Sequence, residues 1–389
     1  MKFAVIAVGY NRPNSMLRLL KSLLKAEYLG DSVDLVISLD KGERQSELVE
    51  IAEKTEWPFG EKIVRVFSER QGLRSHILQC GDYTEKYDAV IVLEDDLIVS
   101  PGFYSYCKQM VAYYDSDERI SGISLYKHRI NTGVNRPFEP EEGPYDIYFM
   151  QVAQSWGECW SARMWKGFKN WYSKNDGDIV ADVTFPEYIS KWNKSSWLKY
   201  YNKYIVENDF YYVYPYKSLT TNHTDAGEHS EISNNNFQVP LLSGVLDYRC
   251  CPLSDGIKYD IFYERVGIKT NYSGKVLLDL MGARTDFTGA DYLISVQRLP
   301  YKIVDELQLR YRPLEMNVIM PYEGKGIFVY DLHNSSYKPK SNSKIINAYD
   351  IRGIKWSRAF AYGVNLYTEA LVRKVRKLKH KIKSIFKCK

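Results

Sequence analysis

The chain reads as an α/β protein. A mostly parallel β-sheet is flanked by helices, followed by an appended C-terminal region and a terminal basic amphipathic helix. Three observations lead there. Short apolar runs alternate with amphipathic stretches over the first 125 residues, a rhythm that builds parallel sheets with helices on both faces. One such run, Val90-Ile91-Val92-Leu93, leads straight into Glu94-Asp95-Asp96. The residues after Glu369 are rich in Lys and Arg and contain no acid.

The elements follow in order. Phe3 to Val8 is a strand. Asn11-Arg12-Pro13-Asn14 is a turn, with Asn14 or Ser15 capping a helix over Met16 to Ala26. Asp34 to Leu39 is a strand ending at Asp40-Lys41-Gly42, and Ser46 to Lys54 is a helix. Lys62 to Phe67 is a strand and Leu73 to Tyr83 a helix. Ala89 to Leu93 is the strand with the acidic end. Phe103 to Tyr114 is a helix and Ile120 to Leu125 a strand. Beyond Asn131 the chain turns aromatic and rich in loops. Gln151 to Tyr172 contains SWGECWSARMWKGF, a turn leading into a helix. Ser195 to Asn208 is helical, Tyr211 to Tyr214 a strand, and Asn222 to His229 a polar loop. Lys275 to Leu280 and Glu315 to Met320 have strand character, and Ser335 to Ser343 reads as a linker.

This gives three expected units. Residues 1–235 form the main domain, in two parts, 1–125 and 126–235. Residues 236–340 form an appended mixed region, and 341–389 a linker and basic tail. Ligands of open α/β sheets sit at the carboxyl ends of strands. Asn11, Arg12, Asp40 and Glu94 to Asp96 all fall at such ends.

Three adjacent carboxylates at a buried strand end repel one another unless a cation or donor groups offset them. Hard oxygen ligands suit Mg²⁺ or Mn²⁺, which share their shell with substrate phosphates. An acidic turn that merely solvates the strand end is the plainer alternative. The 33 Tyr and 8 Trp include flat amphipathic rings that suit carbohydrate faces, although an aromatic core accounts for most of them. The six cysteines show no metal-ligand spacing, so reduced thiols in a cytosolic protein are expected. MKFAVIAVGYNRP reads as a first strand, not a signal peptide. No run of apolar residues is long enough for a membrane span.

With these residues in place, the chain resembles GT-A fold (Rossmann-like) nucleotide-sugar glycosyltransferases. N-acetylglucosaminyltransferase I and bacterial capsule or O-antigen glycosyltransferases are the nearest in pattern. The resemblance rests on LEDDL followed by SPGFY, on GYNRP, SLDKG and ERQGLRSHILQCGDY in the same order, and on SWGECW and YPYKSLTTNHTDAGEH. It implies a metal-dependent transfer, inverting in stereochemistry, from a UDP-sugar to a saccharide or lipid-linked oligosaccharide in bacterial surface polysaccharide synthesis. By the same resemblance Asp96 is the metal ligand for Mn²⁺ or Mg²⁺. Glu94 and Asp95 contact the donor sugar and the ribose or a water of the metal's outer shell, and Asp40 holds the uracil edge. Tyr10, Asn11 and Arg12 lie near uracil or phosphate, and Gly72 and Arg74 lie along the diphosphate.

A base is harder to place. Relatives carry an acid in a Trp-Asp-Asp-Trp segment, where this chain has Ser196-Trp197-Leu198-Lys199-Tyr200. Glu158, after Trp156-Gly157, is the first replacement, and Asp225 and Asp182 are reserves. A glutamate at a surface helix start is the plain reading of Glu158. His229 is the candidate to complete the metal shell, since imidazole suits Mn²⁺.

In the tail, Leu371, Val372, Val375, Leu378, Ile382 and Ile385 interleave with cations at helical spacing. This predicts a basic helix lying on an anionic membrane surface, with no nucleic-acid fold beside it. The expected location is the inner face of the plasma membrane, peripherally bound. A sugar nucleotidyltransferase is one alternative, but GYNRPNS lacks its Gly-rich phosphate loop. A non-catalytic carbohydrate-binding protein on the same fold is the other.

Overall fold

The computed structural model describes residues 1–223 and 237–351. Phe3–Gly9 (β1) is buried along its whole length, and Pro13–Leu23 (α1) follows. Pro13 stands in the first turn of α1, where its missing N–H has no partner to lose and its φ suits a helix. The helix therefore starts before Asn14 and Ser15, which do not cap it, and it stops at Leu23 rather than Ala26. Val33–Leu39 (β2), Gln45–Lys54 (α2), Lys62–Val66 (β3) and Leu73–Gly81 (α3) continue the alternation. Ala89–Glu94 (β4) carries the acidic end. Leu97–Val99 (β5) and Phe103–Tyr114 (α4) come next, then Ile120–Ser124 (β6).

The second half is less regular. Ile130–Asn131 (β7) pairs with Arg136–Pro137 (β8) in a small hairpin. Ile147–Met150 (β9) and Glu158–Ser161 (β10) precede Ala162–Tyr172 (α5), Glu187–Ser190 (α6) and Trp197–Glu207 (α7). Tyr211–Pro215 (β11), Thr220–Asn222 (β12) and Lys258–Tyr259 (β13) follow. Val276–Asp279 (β14), Tyr292–Ser295 (β15) and Tyr301–Gln308 (β16) precede Met316–Ile319 (α8), Gly326–Ser335 (β17) and Ser343–Asp350 (α9).

Nine strands form the central sheet in the order β13-β9-β11-β6-β10-β4-β1-β2-β3. β4, β1, β2 and β3 are mutually parallel. β10 runs antiparallel to both β4 and β6, so β6 points the same way as β4, and β11 is parallel to β6. The sheet is thus mostly parallel and carries helices on its faces. From β1 the chain steps outward to β2 and β3, then returns to the other side of β1 as β4. That reversal is a switch point, and a crevice opens there at the carboxyl ends. Gly9 and Glu94 end the two strands that flank it.

Several expectations are corrected here. The helix expected after SWGECW is present as α5, but the stretch before it holds a strand of the central sheet, β10, rather than a turn. Its residues Glu158 to Ser161 are all buried, and only pairing with β4 and β6 makes them a strand. Glu315 to Met320 is not a strand but the short helix α8. Asn317 Oδ1 accepts from the amides of Arg310 and Tyr311, which closes a turn before it. Residues beyond 235 are also not simply appended. β13 joins the central sheet beside β9, and Tyr114 Oη donates to the Cys251 carbonyl at 2.7 Å. The four-stranded sheet β14-β15-β17-β16 is the separate part. The stretch after Ser335 returns to the body. Asn342 donates to the carbonyls of Val296 and Gly326, and Asp350 pairs with Arg136 at 3.0 Å. Among the described residues no helix is long and apolar enough to cross a membrane. Residues 370–389, with the expected basic helix, lie outside the described residues.

Candidate active site

The switch point gathers the acidic cluster and the turn after β1. Asp95 is 2% exposed, and its Oδ2 accepts the Tyr10 amide at 3.3 Å. The Arg12 guanidinium spans the cluster, with one nitrogen on Asp95 and another 3.1 Å from Asp96 Oδ2. Burial works against charge on Arg12, but Asp95, Asp96 and Glu94 outweigh it and hold the guanidinium protonated. Arg12 was expected to lie near uracil or phosphate. In the structure it is the internal cation that offsets the carboxylates.

The offset is incomplete. Burial pushes the Glu94 carboxyl up to about 8; Asp96 adds repulsion and Arg12 draws it back. Burial likewise lifts Asp95 to about 7, against the pull of Arg12. Among the described residues Asp96 keeps one buried oxygen, Oδ1, without a hydrogen-bond partner, which is costly for a carboxylate.

Asn11 and Asp40 turn out to shape the crevice walls. Asn11 adopts φ 55°, and its Oδ1 accepts the Arg44 amide at 3.0 Å. Asp40 is buried at the end of β2. Its Oδ1 accepts from the amides of Lys41 at 2.8 Å and Gln71 at 2.7 Å, and its Oδ2 from Gly72 at 3.0 Å. The carboxylate therefore clips the loop before α3 to the strand end, and most of its acceptor capacity is used. That departs from the expected contact with a uracil edge. Gly72 has φ 74°, and a Cβ there would meet nothing within 4 Å; its backbone faces open space at the start of α3. Arg74, in the first turn of α3, stacks its guanidinium 5.1 Å over the Tyr200 ring.

The base candidates fare unevenly. Glu158 is 1% exposed and lies in the middle of the sheet, not on a surface helix. Burial, helped by Glu94, pushes its carboxyl well above the usual range, and its Oε2 has no hydrogen-bond partner. A neutral, enclosed acid is the wrong protonation state for a base, and it cannot touch an acceptor hydroxyl. Asp182 is held by its own turn. Its Oδ1 accepts from both Thr184 groups and the Phe185 amide, and Lys203 takes its Oδ2. Asp225 and His229 lie outside the described residues.

His223 is the residue that sequence reasoning missed. β12 pairs antiparallel with β5, and the His223 amide donates to the Asp96 carbonyl at 2.6 Å. The pairing sets an imidazole-bearing residue beside Asp96. The segment TTNH held the signal, but a three-residue strand pairing across the chain has no local mark.

A divalent cation was tested against these donors. Among the described residues no group of three or more His, Cys, Asp or Glu side chains is placed to hold a metal. The orphaned Asp96 oxygen nevertheless fits an ion that takes one or two protein ligands and completes its shell with water and phosphate. Asp96, with His223 beside it, would hold such an ion, which would neutralise a departing diphosphate.

No protein family model and no curated protein matches the chain. Among solved structures, S. aureus TarS 1–349 in complex with UDP-GlcNAc is 15% identical, with 59% of this chain and 60% of that chain covered and a TM-score of 0.36. The mannosyltransferase PcManGT from Pyrobaculum calidifontis, in complex with GDP-Man and Mn²⁺, is 12% identical over 49% of this chain and 50% of that one, at a TM-score of 0.31. GalNAc-T7 with UDP, GalNAc and Mn²⁺ is 13% identical over 56% of this chain and 42% of that one, at 0.35. The chain thus spans less than two thirds of each of these structures. Likenesses of this size carry no weight for function, and the site stands on its own geometry.

Proposed function

We propose that the protein is a GT-A glycosyltransferase that moves a sugar from a nucleotide-sugar donor, a UDP-sugar in the first instance, to a saccharide acceptor. The observation that carries this reading is the acidic cluster at the switch point, with Asp96 Oδ1 buried and unsatisfied. A nucleoside diphosphate leaves readily only when its charge is neutralised, and Asp96 offers a divalent ion a seat at the carboxyl edge where ligands of such sheets bind. The open space beside Gly72 lets a diphosphate approach the first main-chain amides of α3, whose first turn also carries Arg74. The likenesses to nucleotide-sugar enzymes agree with this reading without supporting it.

An inverting reaction needs a base. With Glu158 enclosed and Asp182 committed to its turn, Asp225 is the remaining candidate. The membrane-bound, lipid-linked acceptor at the cytosolic face, and a role in bacterial surface polysaccharide synthesis, rest on sequence alone, the membrane part on residues 370–389.

A screen of UDP- and GDP-sugars for Mn²⁺-dependent hydrolysis tests the reading. Turnover of at least one donor is expected, lost in Asp96→Asn. Asp225→Asn should lower transfer by about 10² to 10⁴, the usual weight of a general base, while Glu158→Gln changes it by less than about tenfold. No turnover and no nucleotide binding across the panel would remove the proposal.

A further inference from the structure

A second feature stands on the same edge of the sheet, away from the acidic cluster. Lys127 and Arg129 follow β6, and Tyr216 and Lys217 follow β11. Both strands point the same way as β4, so these residues stand at the carboxyl edge too. They line a cleft of about 520 Å³ together with Phe138 and Glu139, a volume typical of small-ligand sites.

The charge of this cleft is not balanced from within. Lys127 is half-buried and lies 5.9 Å from the Tyr216 ring centre. Among the described residues neither Lys127, Arg129 nor Lys217 forms an ion pair; Arg129 only donates to the Gln238 carbonyl at 3.3 Å. Glu139, the one carboxylate among the described lining residues, is taken by Arg312 at 2.8 Å. Burial lowers the Lys127 pKa, and Glu142 and Glu139 only partly restore it. A half-buried ammonium without a paired carboxylate is relieved by an anion brought from outside.

The cleft is connected to the acidic cluster. From Ser218 in its wall the chain runs through β12 to His223 beside Asp96. Five extended residues span at most about 18 Å. The cleft and the cluster therefore lie within reach of one acceptor of a few sugar units.

We propose that this cleft is an acceptor subsite for an anionic saccharide, whose phosphate or carboxylate groups sit against Lys127, Arg129 and Lys217 while a ring lies on Tyr216. The proposal rests on the glycosyltransferase reading for the word acceptor, and on the cleft alone for the anion. Phosphate and carboxylate oxygens present the same chemistry to these cations. The aromatic face beside them favours a sugar over a bare ion.

The test uses the full chain and three probes in titration calorimetry: neutral maltotetraose, maltotetraose carrying a 6-phosphate, and tetragalacturonate. At least one anionic probe should bind about tenfold or more tighter than the neutral one, as charge-assisted contacts imply, and weaken with salt. Which one binds tells phosphate from carboxylate. Arg129→Glu with Lys217→Glu alters exposed side chains only, so folding is preserved; it should abolish the preference, and Lys127→Met should weaken it. UDP with Mn²⁺ is titrated into the same samples and should bind the variants as it binds the wild type. Equal binding of all three probes, or an unchanged preference in the double variant, overturns the proposal whatever UDP does. If the wild type binds an anionic probe through these residues but never binds UDP, the cleft stands and the glycosyltransferase reading falls.

Discussion

The two halves of the sheet end at the same edge with opposite chemistry. Beyond β1 and β4, Asp95 and Asp96 pair with the Arg12 guanidinium and Glu94 adds its charge. Beyond β6 and β11, Lys127, Arg129 and Lys217 line a cleft and, among the described residues, form no ion pair. The acidic side has brought in a cation and is still short of one, as the Asp96 oxygen shows. The basic side has brought in no anion. One edge is built to hold positive charge and the other to receive negative charge, which suits a reaction between a cation-bound diphosphate donor and a charged acceptor.

Removing the internal cation tests that contrast most severely. Arg12→Ala leaves the buried Asp95 without its partner, and breaking a buried pair in this way costs about 3–5 kcal/mol. Urea unfolding should report a loss of that size. A loss below about 1 kcal/mol would mean that Arg12 is not the element offsetting the cluster.

The two sides should also respond to pH with opposite signs. Glu94 and Asp95 have folded pKa values raised to about 8 and about 7. Their contribution to stability is full below their ordinary values and is lost as pH rises through 7 to 8. Glu94→Gln should therefore gain on the wild type between pH 5 and pH 8.5. His128, between Lys127 and Arg129, is fully buried among Tyr126, Tyr214 and Tyr263, and burial lowers its pKa to about 3. Its contribution is full above 6.5 and is lost as pH falls toward 3. Between pH 6.5 and 4.5 the loss is at most about 2.7 kcal/mol, and His128→Gln should flatten it. Urea midpoints across pH measure both, and a shared sign for the two variants would contradict the comparison.

The smallest effect belongs to the exposed cation. Lys217→Ala should leave stability within about 0.5 kcal/mol, because Lys217 is exposed and, among the described residues, forms no ion pair. A larger loss in the same unfolding measurement would mean that the cleft is a structural feature.

How much of this could be read in the residues differs between the halves for the same physical reasons. β1, β2 and β4 are largely apolar runs buried on both faces, and periodicity finds them, while β3 at the sheet edge is only partly buried. Phe103–Tyr114 was legible to the residue, bounded by Ser-Pro-Gly. The strand-end position of Arg12, Asp40 and Glu94 to Asp96 followed from that alternation. Their partners did not, because Arg12 meets Asp95 and Asp40 meets Gly72 only across the sheet. Glu158 to Ser161 is too short to declare a period, and its burial comes from neighbours on both sides. His223 reaches Asp96 by pairing β12 with β5, a contact of distant segments. The basic cleft joins residues from two strand ends and the 239–243 segment, and no local pattern announces it.

The central claim is that Asp96 seats a divalent ion for a nucleotide diphosphate. Calorimetric titration of UDP into the wild type and Asp96→Asn, each with and without Mn²⁺, tests it most directly. The account predicts binding in the wild type that requires Mn²⁺, and none in Asp96→Asn at the same concentrations, with the variant's circular dichroism spectrum unchanged. Equal, Mn²⁺-dependent affinity in the two proteins, or no UDP binding by the wild type with the metal present, would contradict it.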